Sequence, residues 1–153
     1  MTQASMPAQP LTNAIVRVAR LQRLLAQQML RGVGLHLGQE LVMMQLWERG
    51  PQTQTDLVRT LDSDSATMTR MVRRLENAGF VRTRPSSTDK RATIVEPTPA
   101  SQAVRREVER SWAELEGIAV GDLTPEQQAE ALDVLARLEA NLASSRNGPS
   151  IRE

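Results

Sequence analysis

No cysteine occurs among the 153 residues. Disulfides, and redox sensing through the chain's own thiols, are therefore excluded. Histidine is nearly absent too: with only His36 and no cysteine, no transition-metal cluster and no cofactor are expected. Trp47, Phe80 and Trp112 are the only aromatic residues. With 40% apolar residues, such a chain buries a lean core that gains from a partner subunit. The longest aliphatic and methionine run, Leu41-Val42-Met43-Met44, is far short of a membrane span. The first ten residues carry no cation and no apolar run, so a signal peptide is not expected and cytoplasmic residence is. Catalytic patterns are missing as well. The serines have no nucleophile elbow and no second histidine beside them. Gly32-Val33-Gly34 lacks the lysine and the preceding strand of a phosphate loop. An enzyme is not expected.

What is present is a charge division. The net charge is only +1. Residues 63–95 nevertheless hold seven Lys/Arg against three acids, and residues 107–142 hold nine acids against Arg110 and Arg137. One basic lobe and one acidic lobe suit a polyanion at one end only. Residues 11–37 carry Arg17, Arg20, Arg23 and Arg31 and no acid, so they can pair with the acidic C-terminal helices, within a subunit or across two.

The stretch Asp64 to Gly79 organises the rest. Asp64, or Ser63 beside it, can cap a helix N-terminus. Gly79 supplies the left-handed residue that commonly ends one. Met68, Met71, Val72 and Leu75 recur at helical spacing on one side. Ala66, Arg70, Arg73 and Asn77 occupy the other, with Thr67, Thr69 and Arg74 on the flanks and no acid until Glu76. A face of one sign, short-chained near its start, can enter a groove lined with phosphates and base edges.

The flanks extend this pattern. Thr53 to Leu61 reads as a short helix, with Thr53 and Asp56 spaced as a capping box. Asp62-Ser63 makes the turn. Phe80 to Arg84 alternates as a strand, and Ala92 to Val95 can pair with it across a polar connection that begins at Pro85 and ends in Lys90 and Arg91. Helix, turn, helix and a basic-tipped hairpin describe a winged helix-turn-helix, so the expected fold class is mainly α with a small β-hairpin wing.

The order Gln54-Thr-Asp-Leu57, Thr67-Met-Thr-Arg-Met-Val72, Leu75-Glu-Asn-Ala-Gly-Phe-Val81, Arg84-Pro85 and Asp89-Lys-Arg91 resembles the MarR family of bacterial transcription regulators. The likeness is close from Leu37 to Val95 and loose in the flanking helices. It departs at Gly38-Gln39, at Thr83, where the family usually has arginine, and at Glu96-Pro-Thr-Pro-Ala100. The resemblance implies a homodimer joined by N- and C-terminal helices, double-stranded DNA as partner, and repression relieved by a small aromatic or anionic ligand. It also implies that Asp89 is structural, holding Arg91 in position. A ligand site is expected near Trp47 or Trp112, although Trp47 reads first as core packing against the recognition helix.

Domain limits follow from the remaining elements. Residues 1–10 are expected as a disordered tail and 11–36 as an N-terminal dimerisation helix. Residues 37–96 form the DNA-binding lobe. Residues 97–143 are two C-terminal dimerisation helices: Pro97-Thr98-Pro99 starts the first, and Thr124, Pro125 and Gln127 cap the second. Residues 144–153 are a loose tail. The flanking stripes exceed what one lobe can cover, which also favours a shared bundle.

Roles on DNA divide by position. Ser65, Thr67, Thr69 and Arg70 lie in the first turns, where base edges are reached. Arg73 and Arg74 fall further along, towards phosphates or a neighbouring base. Thr53, Gln54 and Thr55 open the preceding helix, whose free N–H groups suit a phosphate. Arg84 stands on the wing, and Lys90 and Arg91 at its tip meet the backbone or a narrowed minor groove. The alternative is an architectural DNA-binding protein of weak specificity without an effector.

Overall fold

The computed structural model describes residues 8–146. Residues 1–7 and 147–153, on which most of the two expected tails fall, lie outside the described residues. Along the chain come α1 (Pro10–Arg31), α2 (Gln39–Arg49), β1 (Gln52–Thr53), α3 (Gln54–Thr60), α4 (Ser65–Asn77), β2 (Val81–Pro85), β3 (Thr93–Pro97), α5 (Ser101–Val120) and α6 (Pro125–Arg146). The expected class, mainly helical with a small wing, is the one observed. The sheet has one strand more than the sequence suggested. Its order is β1-β3-β2, all antiparallel, with Gln52 opposite Val95 and Val81 opposite Pro97. Two residues are too few to leave a period-2 signature, which is why β1 was invisible in the sequence.

The chain divides into two compact units between Leu115 and Glu116. In the first, one cluster joins Leu46 and Trp47 of α2, Leu57 of α3, Met68, Val72 and Leu75 of α4, Val81 and Val95 of the wing, and Val108 of α5. Each such side chain contributes roughly 1.5–3 kcal/mol by leaving water. Apolar residues from four helices and the inner face of the hairpin therefore converge, and α4 can sink one face while presenting the other.

Several boundaries moved from their expected places, each for a local reason. Helix α5 begins at Ser101, not at Pro97-Thr98-Pro99. Pro97 closes β3 opposite Val81, and the Thr98 hydroxyl donates to the Gly79 carbonyl at 2.6 Å. Ser101 is fully buried because it serves Trp47, whose indole N–H donates to Ser101 Oγ at 3.0 Å. Helix α2 begins at Gln39, two residues after Leu37, from which the sequence reads as a helix to Arg49, and Gln39 and Glu40 are buried at its start. Their side chains fold back onto the turn before it: Glu40 Oε2 accepts from the Gly38 N–H at 2.7 Å, and Gln39 Oε1 from the His36 N–H at 3.0 Å.

The second unit holds the end of α5, the turn at Gly121 and α6. Thr124 and Gln127 form the expected reciprocal cap, at 3.2 and 3.0 Å. Helix α6 runs to Arg146, so residues 144–146 belong to the helix and not to a tail; the Ser144 and Ser145 hydroxyls bond back to the carbonyls of Ala140 and Asn141. Among the described residues α6 buries no side chain, and Leu132 and Leu142 stay 69% and 65% exposed. Helix α1 likewise buries only Ala26 and Leu30. Among the described residues no helix is long and apolar enough to cross a membrane.

Candidate nucleic-acid interface

Helix α4 is held rigidly at both ends. Asp64 Oδ1 accepts from the Thr67 N–H at 2.8 Å, which settles the N-cap on Asp64 in preference to Ser63. At the other end Gly79 sits at φ +81°, its N–H bonding to Glu76 O and the Phe80 N–H to Leu75 O, both at 3.0 Å. This is a Schellman stop, and only a residue tolerant of positive φ supplies it cheaply. Between these ends Met68, Val72 and Leu75 are buried, whereas Ser65, Thr69, Arg70, Arg73 and Arg74 are exposed and Thr67 is half-buried. No ion pair ties Arg73 or Arg74 to a carboxylate among the described residues. Arg73 and Arg74 thus keep the outward face cationic.

The hydroxyls of the two threonines in the first turns are both engaged. The Thr67 hydroxyl donates to Asp64 Oδ2 at 2.7 Å, and its oxygen receives Arg70 Nη2 at 3.3 Å. The Thr69 hydroxyl donates to the Ser65 carbonyl at 2.8 Å and receives Gln54 Nε2 at 2.7 Å. Their protons are spent inside the protein, so towards a base each offers its methyl group and a lone pair at most. Gln54 spans the helix-turn-helix, fastening the start of α3 to the second turn of α4. Thr53 caps α3 through its hydroxyl, which accepts from the Asp56 N–H at 3.1 Å. The returning half of that box is absent: the Asp56 carboxylate meets Arg59 at 3.7 Å. Thr55 is exposed beside them.

On the wing, Lys90 and Arg91 are exposed at the tip. Asp89 does hold Arg91, but by its backbone: Asp89 Oδ1 accepts from the Arg91 N–H at 3.0 Å. Ser86 is a residue that sequence reasoning missed. It is 9% exposed, and its hydroxyl meets the N–H groups of Thr88 and Asp89 at 3.3 Å each, so it knots the tip. Its only sequence cue was a serine just after Pro85. Arg84 stands on the outer face with Arg82, and both face Glu96, at 3.6 and 3.8 Å. Arg84 is therefore partly neutralised in the free protein, unlike the tip residues.

The tryptophans part company. Trp47 is 9% exposed, its N–H is committed to Ser101, and it does not line the cleft described next. Trp112 is half-buried, and its Nε1 is buried without a hydrogen-bond partner among the described residues. It borders an open cleft of about 380 Å³ between α1, the start of α2 and α5, with Ala26, Leu37 and Leu41 as apolar walls and Arg23 and Glu40 as charged ones. Burial holds the Glu40 carboxyl above its ordinary 4.5, partly offset by the Glu40 and Gly38 N–H groups. No group of residues that could hold a metal occurs among the described residues.

These features define a winged helix-turn-helix with a cationic reading helix. Comparison with known proteins places it more closely. The MarR family model matches residues 35–93. The uncharacterized HTH-type transcriptional regulator YwoH of Bacillus subtilis (strain 168) is 30% identical over 84% of this chain and 92% of its own length. The uncharacterized regulator YdgJ of the same organism is 31% identical over 59% of this chain, but the match spans only 55% of that relative. Among solved structures, reduced AbfR bound to DNA is 28% identical with a TM-score of 0.70, over 89% of this chain and 94% of AbfR. The chain belongs to the MarR family, whose members are DNA-binding transcription regulators.

Proposed function

We propose that this regulator is a homodimeric repressor of nearby genes that binds a pseudo-palindromic operator and is released by a small organic anion. The observation that carries the DNA half of this reading is the exposed face of α4, with Arg70, Arg73 and Arg74 aligned opposite the buried Met68, Val72 and Leu75. Ser65 and Arg70 are the base readers, with the methyl groups of Thr67 and Thr69. Arg73, Arg74, Arg84, Lys90, Arg91 and the Thr53-Gln54-Thr55 turn meet the backbone or minor groove. Two reading helices in one dimer impose a two-fold site about one or more helical turns long.

Dimerisation through residues 11–36 and 97–143 is supported by stripes that one chain leaves uncovered, on α1 (Leu11, Val18, Leu21) and on α6 (Leu132, Leu135, Leu142). The cleft beside Trp112 supports the effector half. Among the described residues Arg23 supplies a cation without an ion pair and the Trp112 N–H is an unused donor, while Leu37 and Leu41 suit an aromatic body.

Selection of genomic fragments by the full chain, followed by sequencing, tests the operator half; a shared palindrome is expected, and binding that varies with salt alone would give the architectural alternative. Removal of residues 121–153 should yield a monomer or an insoluble chain, and a truncated dimer of unchanged mass would refute the assembly. Substituted benzoates should change Trp112 fluorescence, lower operator affinity, and lose both effects in Trp112→Phe.

A further inference from the structure

The start of α4 carries an acid where a nucleic-acid reader would be expected to carry none. Asp64 is exposed, and three hydrogen bonds connect it to the reading face. Its Oδ1 accepts from the Thr67 N–H at 2.8 Å, its Oδ2 accepts from the Thr67 hydroxyl at 2.7 Å, and the Thr67 oxygen accepts from Arg70 Nη2 at 3.3 Å. Direction is fixed along this chain. A carboxylate has no proton to give, so the Thr67 proton points at Asp64 and the Thr67 lone pairs point at Arg70. The guanidinium is thereby anchored through one nitrogen, and its remaining donors face outward in a planar fork that matches a guanine edge.

The charge of Asp64 has a second consequence. A free helix N-terminus attracts a phosphate. Here the site is already filled by a carboxylate, so the first turn of α4 repels the DNA backbone and leaves that approach to base edges. Asparagine would keep the cap hydrogen bond from Oδ1 to the Thr67 N–H, so the cap geometry alone does not require the charge. From this geometry we infer that Asp64 is a specificity-determining positioning residue: through Thr67 it aims Arg70 at a base, and through its charge it keeps phosphate off the start of the reading helix. The inference rests on the operator reading above.

The test uses the full-length chain and two duplexes, one selected by the wild type and one of random sequence, titrated over a range of salt. Asp64→Asn keeps the cap and removes the charge. It should bind random DNA more tightly, with a salt slope steeper by about one phosphate per subunit. Its preference for the selected site should fall about tenfold, the equivalent of part of one bidentate base pairing. Thr67→Val leaves the Asp64 charge and its bond to the Thr67 N–H, and should relax preference at the Arg70 base pair without steepening the salt slope. In an Arg70→Ala background, Asp64→Asn should no longer relax preference at that base pair. An Asp64→Asn protein that is less stable but has unchanged preference and slope makes Asp64 a cap only, and overturns the inference. Unchanged preference in Thr67→Val, or the same loss of preference with and without Arg70, overturns it equally. A wild-type chain that selects no sequence at all removes the operator reading and this inference together.

Discussion

The Thr83 hydroxyl donates to Glu76 Oε2 at 2.5 Å, so the first strand of the wing is pinned to the last turn of the reading helix. The family usually places arginine at this position, and here a short side chain fastens the wing inward. It also occupies the only acid on the reading helix. Thr83→Val should cost about 1 kcal/mol, the usual net worth of one hydrogen bond. The drop should appear in the urea midpoint, with faster hydrogen exchange in β2 while α1 is unchanged. Uniform exchange throughout the chain would mean that the hydrogen bond does not couple wing to helix.

Trp47 and Ser101 form the other long-range clasp, between α2 and the start of α5. Ser101→Ala leaves a buried indole N–H unpaired, and also removes the hydroxyl's bond to the Thr98 carbonyl at 2.7 Å. A loss of roughly 1–3 kcal/mol is expected. Trp47→Phe in the Ser101→Ala background should cost less than the two single changes added, because neither orphan remains. Strict additivity in chemical denaturation would show that the bond contributes nothing.

Arg70 and Arg91 should separate reading from clamping. Arg70→Ala is expected to cost about 1–3 kcal/mol per half-site on a selected operator and to relax one base preference. Arg91→Ala should weaken all sequences alike and lower the salt slope by about one unit for each phosphate that is no longer neutralised. Affinity against salt, on selected and random DNA, decides. If Arg91→Ala alone alters site preference, the two roles are exchanged.

Two acids should give opposite pH signatures. Burial raises the Glu40 carboxyl above 4.5, so its folded form favours the proton. As pH climbs from 4.5 through the raised folded value, the folded state loses stability relative to the unfolded chain, and the full penalty stands above it. Glu40→Gln should therefore stabilise the protein at neutral pH, with the gain vanishing below the ordinary value. Asp64 is the reverse: the Thr67 N–H and hydroxyl hold it below 3.8, so its contribution is present above that value and is lost as pH falls through the folded one. Asp64→Asn should be less stable than wild type at neutral pH and converge with it in acid. Urea midpoints across the acid range measure both, and parallel curves for either variant would contradict its assignment.

Most of the architecture was local information. Apolar spacing and cap residues alone set α4, from the Asp64 cap to the Gly79 stop, because a helix of this kind is specified by neighbours three and four positions apart. The same holds for the α6 cap at Thr124 and Gln127, and for the cationic character of the outward face. Tertiary structure decided which atoms remain available there. Gln54 and Thr69 are 15 positions apart, and Trp47 and Ser101 are 54 apart. No periodicity encodes such pairs, since they exist only once separate elements meet. For that reason the sequence could place a ligand site no more closely than near Trp47 or Trp112, whereas the fold buries the first with its N–H satisfied and leaves the second beside a cleft with its N–H unused among the described residues. It is also why spacing placed Thr67 and Thr69 near base edges without showing where their hydroxyl protons go. A hydroxyl proton goes to the nearest strong acceptor, and folding supplied one to each before any DNA could.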